Sequence, residues 1–247
     1  MMKKVLLHIG KHKTGSTSFQ YFLRKSRKVL EGSGFCVLPL RFGNRIAAVA
    51  VRDGLPIPPR DSLKKSDVIP VDGIAGEIAQ FLKDKEFETL VVSSEHLSYF
   101  RTSAEIAKMR EAFPSELEYS IYLVTRDRED FRISYRDQIT STGHGPSDDP
   151  SSPYYCEKDS WLLDDDALIQ AWKGEFENVT VLEYSKSGMV QKLGAAMGLP
   201  ETVLEKEYRL NVTSAWWENA KLGIKKFVKK LPFGRGFLMK FRRWRWG

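Results

Sequence analysis

Apolar and polar positions alternate between two periods along this chain. Val5-Leu6-Leu7 opens a short apolar run, and residues 3–9 around it read as a first strand. Phe19, Phe22, Leu23 and Leu30 then recur at helical spacing, which predicts a helix over 16–30 with one broad apolar face. Gly34-Phe35-Cys36-Val37-Leu38 is a second strand, cut off by Pro39. Residues 41–70 hold several prolines and glycines and no clean period, so a short helix over 46–51 and then a loop are expected. Ile74, Ile78, Phe81 and Leu82 give a helix over 73–83 its inward face. A strand from Thr89 follows, then a helix over 104–113, a strand over 119–125 and a helical stretch over 127–136. A helix over 167–172, a strand over 178–184 and a helix over 186–197 complete the pattern, the last stopped by Gly198 and Pro200. This alternation implies an α/β fold, a mostly parallel central sheet flanked by helices on both faces.

Composition narrows the picture. The 247 residues are 42% hydrophobic and 29% charged, enough apolar content for a real core rather than a disordered chain. Residues 1–220 are expected to form one α/β domain and 221–247 a separate tail. Cys36 and Cys156 are far apart and follow no metal spacing, which favours a reducing compartment over a disulfide framework. The four histidines form no zinc pattern. The apolar run after Met1 is too short for a signal peptide, and no stretch approaches the roughly 20 apolar residues of a membrane span. A cytoplasmic protein is the expectation.

Two segments carry candidate chemistry. In the first, His8-Ile9-Gly10-Lys11-His12-Lys13-Thr14-Gly15-Ser16-Thr17-Ser18, a strand passes through a glycine-bearing turn into a helix start. Free N–H groups and the helix dipole at such a point favour an anion. Gly10 and Gly15 have the spacing of a Walker A loop, but Ser16 stands where its lysine belongs and Lys13 lies two residues before the glycine. That displacement argues against an ordinary ATPase or GTPase. In the second segment, Arg126 closes the strand over 119–125 and Ser134 follows eight positions later, so strand end and second helical turn can converge on one phosphate. The plainer reading pairs Arg126 and Arg128 with Asp127, Glu129 or Asp130 on a solvated helix.

Together these segments resemble the sulfotransferases that use 3′-phosphoadenosine 5′-phosphosulfate (PAPS), in a bacterial, glycan-directed branch. Lys13-Thr14-Gly15-Ser16-Thr17 matches that family's phosphosulfate loop at every position, and Arg126 with Ser134 matches its 3′-phosphate element. The resemblance implies a three-layer P-loop-type fold. It implies that Lys13, Thr14, Gly15, Ser16, Thr17 and Ser18 hold the 5′ phosphosulfate, that Arg126 and Ser134 hold the 3′ phosphate, and that no metal is required. A third element, Ser93-Ser94-Glu95-His96, follows the strand from Thr89, where ligands gather in open α/β sheets. Glycan sulfotransferases carry a catalytic glutamate in such a position, and the small-molecule branch a histidine. Glu95 is the preferred base and His96 the reserve, since neighbours on an extended chain point opposite ways.

Other features complete the expectations. Asp164-Asp165-Asp166 read as a helix cap rather than a metal cluster. Residues 142–153 form a loop that can border the acceptor, and Arg209 to Ser214 form a late polar segment of unassigned role. The net charge of +7 owes much to the tail, where ten Lys and Arg residues interleave with aromatics from Phe227 to Trp246. Such a tail suits an anionic membrane surface, the inner face in a bacterium, or a polyanionic glycan, without specific nucleic-acid recognition. Two rival functions stand beside sulfuryl transfer to a saccharide or similar hydroxyl. One is a nucleotide or small-molecule kinase with a variant phosphate loop, and the other a non-catalytic polyanion- or membrane-binding protein.

Overall fold

A computed structural model describes residues 3–62, 70–141 and 144–205. Its centre is a five-stranded sheet in the order β2-β3-β1-β4-β5, parallel at every pairing. The strands are β1 (Lys4–Gly10), β2 (Phe35–Val37), β3 (Thr89–Ser93), β4 (Glu118–Thr125) and β5 (Val179–Glu183). The helices are α1 (Ser16–Glu31), α2 (Leu40–Ala50), α3 (Pro58–Ser62), α4 (Val71–Leu82), α5 (Ser103–Arg110), α6 (Arg128–Ser141), α7 (Asp165–Lys173) and α8 (Met189–Ala196).

The period-2 alternation of each strand divides the core into two layers. Val5, Leu7 and Ile9 of β1, Leu90 and Val92 of β3, and Ile121 and Leu123 of β4 face one side. There they pack under α2, α4, α5, α6 and α7, whose contributions include Phe42, Ile74, Met109, Phe131 and Trp172. Leu6, Val91, Tyr122 and Val124 face the other side, under Phe19, Phe22 and Leu23 of α1 and Val190 and Leu193 of α8. Each fully buried large side chain in these layers contributes about 2–3 kcal/mol through area removed from water. The result is a three-layer α/β sandwich, as the alternation of strands and helices implies.

Several boundaries differ from those read off the sequence. The helix expected over 46–51 is the longer α2, which begins directly after Pro39, and the following stretch adds α3. Proline fixes its own φ near helical values and is tolerated at a helix start, so Pro39 starts α2 as well as stopping β2. The helix after β4 runs on to Ser141, past the expected end at 136, carried by Ile139 on the core face. Glu95 to Tyr99 is a 3-10 turn rather than extended chain. The polar segment from Arg209 and the tail from 221 lie outside the described residues. Among the described residues, no helix is long and apolar enough to cross a membrane.

The topology sets where a ligand can sit. From β1 the chain crosses to β2 and returns through β3, whereas from β4 it moves outward to β5. The strand order therefore reverses between β1 and β4, and a crevice opens beyond their C-terminal ends. The Lys11 N–H still donates to the Val124 carbonyl at 3.2 Å, so the two strands stay joined up to the mouth of that crevice.

Candidate functional site

The loop between β1 and α1 is shaped by two left-handed residues, Lys13 (φ 63°) and Gly15 (φ 85°). Glycine reaches that region without a Cβ clash, and Lys13 holds it at a cost of about 1–2 kcal/mol. The Thr14 hydroxyl donates to the Lys11 carbonyl at 2.5 Å and lies 3.5 Å from the Ser16 hydroxyl, which pins the turn. Beneath it His8 bridges to Ser93 at 2.8 Å and stacks edge-on against Phe19. Burial holds the His8 ring neutral, with its pKa down at about 3.

The start of α1 is open. Gly15 offers no side-chain cap, its carbonyl accepts the first helical bond from Phe19, and the first turn holds no acidic residue. The N–H groups of Ser16, Thr17 and Ser18 thus precede the helix's own hydrogen bonds. Lys13, Thr17 and Ser18 are exposed, Gly15 is half-buried, and Thr14 and Ser16 are buried. The exposed hydroxyls and Lys13 stand at the mouth, whereas Thr14 and Ser16 brace the loop from inside.

Arg126 comes to this loop from the end of β4. Its Nη1 donates to the Lys13 carbonyl at 2.8 Å, its Nη2 lies 3.6 Å from Asp130, and its guanidinium sits 5.0 Å over the Tyr184 ring. Its Nε is buried without a hydrogen-bond partner. The plainer sequence reading is therefore realised in part, through the Arg126–Asp130 pair, while Arg128 donates to the Lys158 carbonyl at 2.6 Å. Ser134 is half-buried in the second turn of α6.

The turn after β3 brings Glu95 and His96 to the same wall. A 3-10 turn advances about 120° per residue, so the opposite-facing argument for these neighbours does not hold. Both approach His12: Glu95 Oε1 is 3.8 Å from its Nδ1, and the His96 ring centroid is 5.4 Å from its own. Burial raises the Glu95 pKa, and nearby Lys13 opposes the rise. Burial pushes His96 down to about 4. A carboxylate with raised proton affinity is the better base of the two.

Several participants escaped the sequence reading. His12 is buried between Glu95 and the hydroxyl of Tyr99, which lies 2.7 Å from its Nε2. Lys11 is buried, ion-paired with Asp165 and seated 4.1 Å over the Phe131 ring. Asp164 does cap α7, accepting from Ala167 N–H at 2.8 Å, but Asp165 turns away to neutralise Lys11. Tyr184 and Met189 flank Gly15 from beyond β5. A lysine in a phosphate-loop sequence signals ligand binding, and only the sheet's geometry shows that Lys11 is spent on structure.

No protein-family model matches the chain, and neither does any curated protein. Solved structures are similar to it. A sulfotransferase from Alicyclobacillus acidocaldarius is similar at 12% identity and a TM-score of 0.54, over 81% of this chain and 83% of its own. The tunicamycin resistance protein of Deinococcus radiodurans (11% identity, TM-score 0.43, 80% and 97% covered) is more distant. So is a gluconokinase from Sinorhizobium meliloti 1021 (16% identity, TM-score 0.37, 85% and 98% covered). Taken with the all-parallel sheet and the open loop at its switch point, the first of these likenesses shows that the chain has the P-loop-type α/β fold found in a sulfotransferase.

Proposed function

We propose that this protein is an enzyme that moves a sulfuryl group from PAPS to a hydroxyl of a saccharide, glycolipid or similar acceptor. The observation that carries the reading is the hydrogen bond from Arg126 to the Lys13 carbonyl. It sets the two sequence segments that suit the two ends of such a donor side by side at the switch point. The Arg126 guanidinium beside this loop and the uncapped start of α1 are donors of the kind an adenosine bisphosphate needs.

Glu95 takes the acceptor's hydroxyl proton as that oxygen attacks sulfur. The bond between sulfur and the bridging oxygen breaks in line, and its electron pair leaves with the adenosine 3′,5′-bisphosphate. Lys13, the α1 amides and the Thr17 hydroxyl stabilise the charge growing on the bridging oxygen. Arg126 and Ser134 keep the nucleotide in register through its 3′ phosphate, which is what rejects ATP. The positive groups of this scheme are protein groups, and it needs no metal ion. For residues 221–247 we infer, from composition alone, a hold on an anionic surface such as a membrane face.

Calorimetric titration without magnesium tests the donor reading. Adenosine 3′,5′-bisphosphate is expected to bind clearly, and 5′-ADP weakly. Equal binding of the two, or tighter binding of ATP with magnesium, overturns it in favour of a kinase.

A further inference from the structure

We propose that His12 is a positioning residue for Glu95, held by Tyr99 so that its Nδ1–H faces one carboxylate oxygen and leaves the other to meet the acceptor hydroxyl. The proposal rests on the sulfuryl-transfer reading for its reaction, but not for its geometry.

His12 has two ring nitrogens in two different settings. Nε2 lies 2.7 Å from the Tyr99 hydroxyl, which itself lies 3.2 Å from the Tyr135 hydroxyl. Nδ1 is buried, has no hydrogen-bond partner and lies 3.8 Å from Glu95 Oε1. A buried orphan nitrogen is costly unless a partner reaches it in the working state, and catalytic hydrogen bonds often tighten only once ligands bind.

The donors then run one way. Tyr135 donates to Tyr99, Tyr99 donates to Nε2, and the neutral ring carries its single proton on Nδ1 toward Glu95. The ring is kept from charging by burial and by His96, Lys13 and Lys11 around it. Its orientation is fixed by packing, with ring centroids 5.3 Å from Tyr99 and 5.2 Å from Tyr135. In the reaction His12 keeps its proton throughout. The acceptor's proton ends on the free oxygen of Glu95 and passes to water once the product has left.

The groups that set the Glu95 titration are few. Lys13 from the β1–α1 loop favours the carboxylate, and burial disfavours it. His12 comes from that same loop, His96 and Tyr99 from Glu95's own turn, and Tyr135 of α6 stands behind Tyr99. Removing a neutral donor to the carboxylate therefore raises its proton affinity.

Two isosteric variants separate the ring nitrogens. His12→Asn keeps an amide near Nδ1, and His12→Gln keeps one near Nε2. In the wild-type protein, long-range ¹H–¹⁵N spectra are expected to show His12 protonated on Nδ1. The ¹³C-detected titration of the Glu95 carboxyl is expected to shift upward in His12→Gln, by about threefold to tenfold in proton affinity, and to stay in place in His12→Asn. Sulfuryl transfer should fall about tenfold to a hundredfold in kcat for His12→Gln with little change in donor KM, and recover in His12→Asn. If neither variant folds, Tyr99→Phe is the substitute, expected to lower the Nδ1–H population. A wild-type Nε2–H tautomer, or a Glu95 midpoint moved equally by both variants, overturns the proposal. If the wild-type protein transfers no sulfuryl group, the reaction reading fails, while the tautomer and the titration still decide the hydrogen-bond geometry.

Discussion

The Arg126 guanidinium donates to the main-chain carbonyl of Lys13 across 2.8 Å, tying the end of β4 to the turn that opens α1. A lysine in that place has one compact ammonium instead of a planar fork, and cannot serve both this carbonyl and a phosphate. Arg126→Lys and Arg126→Ala are both expected to weaken adenosine 3′,5′-bisphosphate by about tenfold to a hundredfold, and 5′-ADP far less. Calorimetry on the two nucleotides checks the contrast.

Glu95 sits at odds with stability. Its proton affinity is raised by burial, so its contribution to folding is greatest when it is protonated and is lost as pH rises through the raised pKa. At pH 7 the charged form is therefore a net cost. Glu95→Gln is expected to unfold at equal or higher denaturant, while losing about a hundredfold or more in turnover. A variant that keeps normal turnover removes Glu95 from the scheme.

Three histidines make the fold sensitive to acid. His8 titrates at about 3, His96 at about 4, and His12 well below its ordinary value, in each case chiefly through burial. In the unfolded chain each takes up its proton near pH 6.5, so stability is complete above that value and declines as pH falls toward the folded values. Each of the three is expected to cost about 1.4 kcal/mol per pH unit between about pH 6 and 5. Denaturant titrations at pH 7, 6 and 5 measure the slope, and a flat response counts against their burial as neutral rings.

The Lys11–Asp165 pair joins the β1–α1 loop to the start of α7, and the Asp165 side chain is only 26% exposed. Asp165→Asn leaves a buried ammonium without its counter-charge and is expected to destabilise by about 2–3 kcal/mol, at or below the lower end for a buried pair since the carboxylate is partly wet. Lys11→Met should cost less, since it removes the charge that needs the carboxylate. Chemical denaturation of the two variants gives the comparison.

Gly10 is close-packed at the end of β1. A Cβ there would run into the Ser16 hydroxyl and meet the His8 ring and Thr14 hydroxyl at 3.0 Å. Gly10→Ala is expected to lose about 1–3 kcal/mol and to loosen the loop, visible as weaker nucleotide binding alongside a lower melting temperature.

Much of this protein is decided locally and was legible in the chain. Val5-Leu6-Leu7 and the strand ending at Thr125 announce themselves by β-branched and apolar density, and α1 by Phe19, Phe22 and Leu23 at helical spacing. The turn at Gly15 follows from its own backbone freedom. What tertiary structure alone decided is which polar groups meet. Nothing near His12 in sequence marks it as the neighbour of Glu95, 83 positions on, or Lys11 as the partner of Asp165, 154 positions on. Those encounters depend on which strands pair and on the 3-10 turn that replaces extended chain after β3. Periodicity reports the face a residue occupies, whereas the partner across a crevice is set by strand order, and strand order comes from packing the whole core.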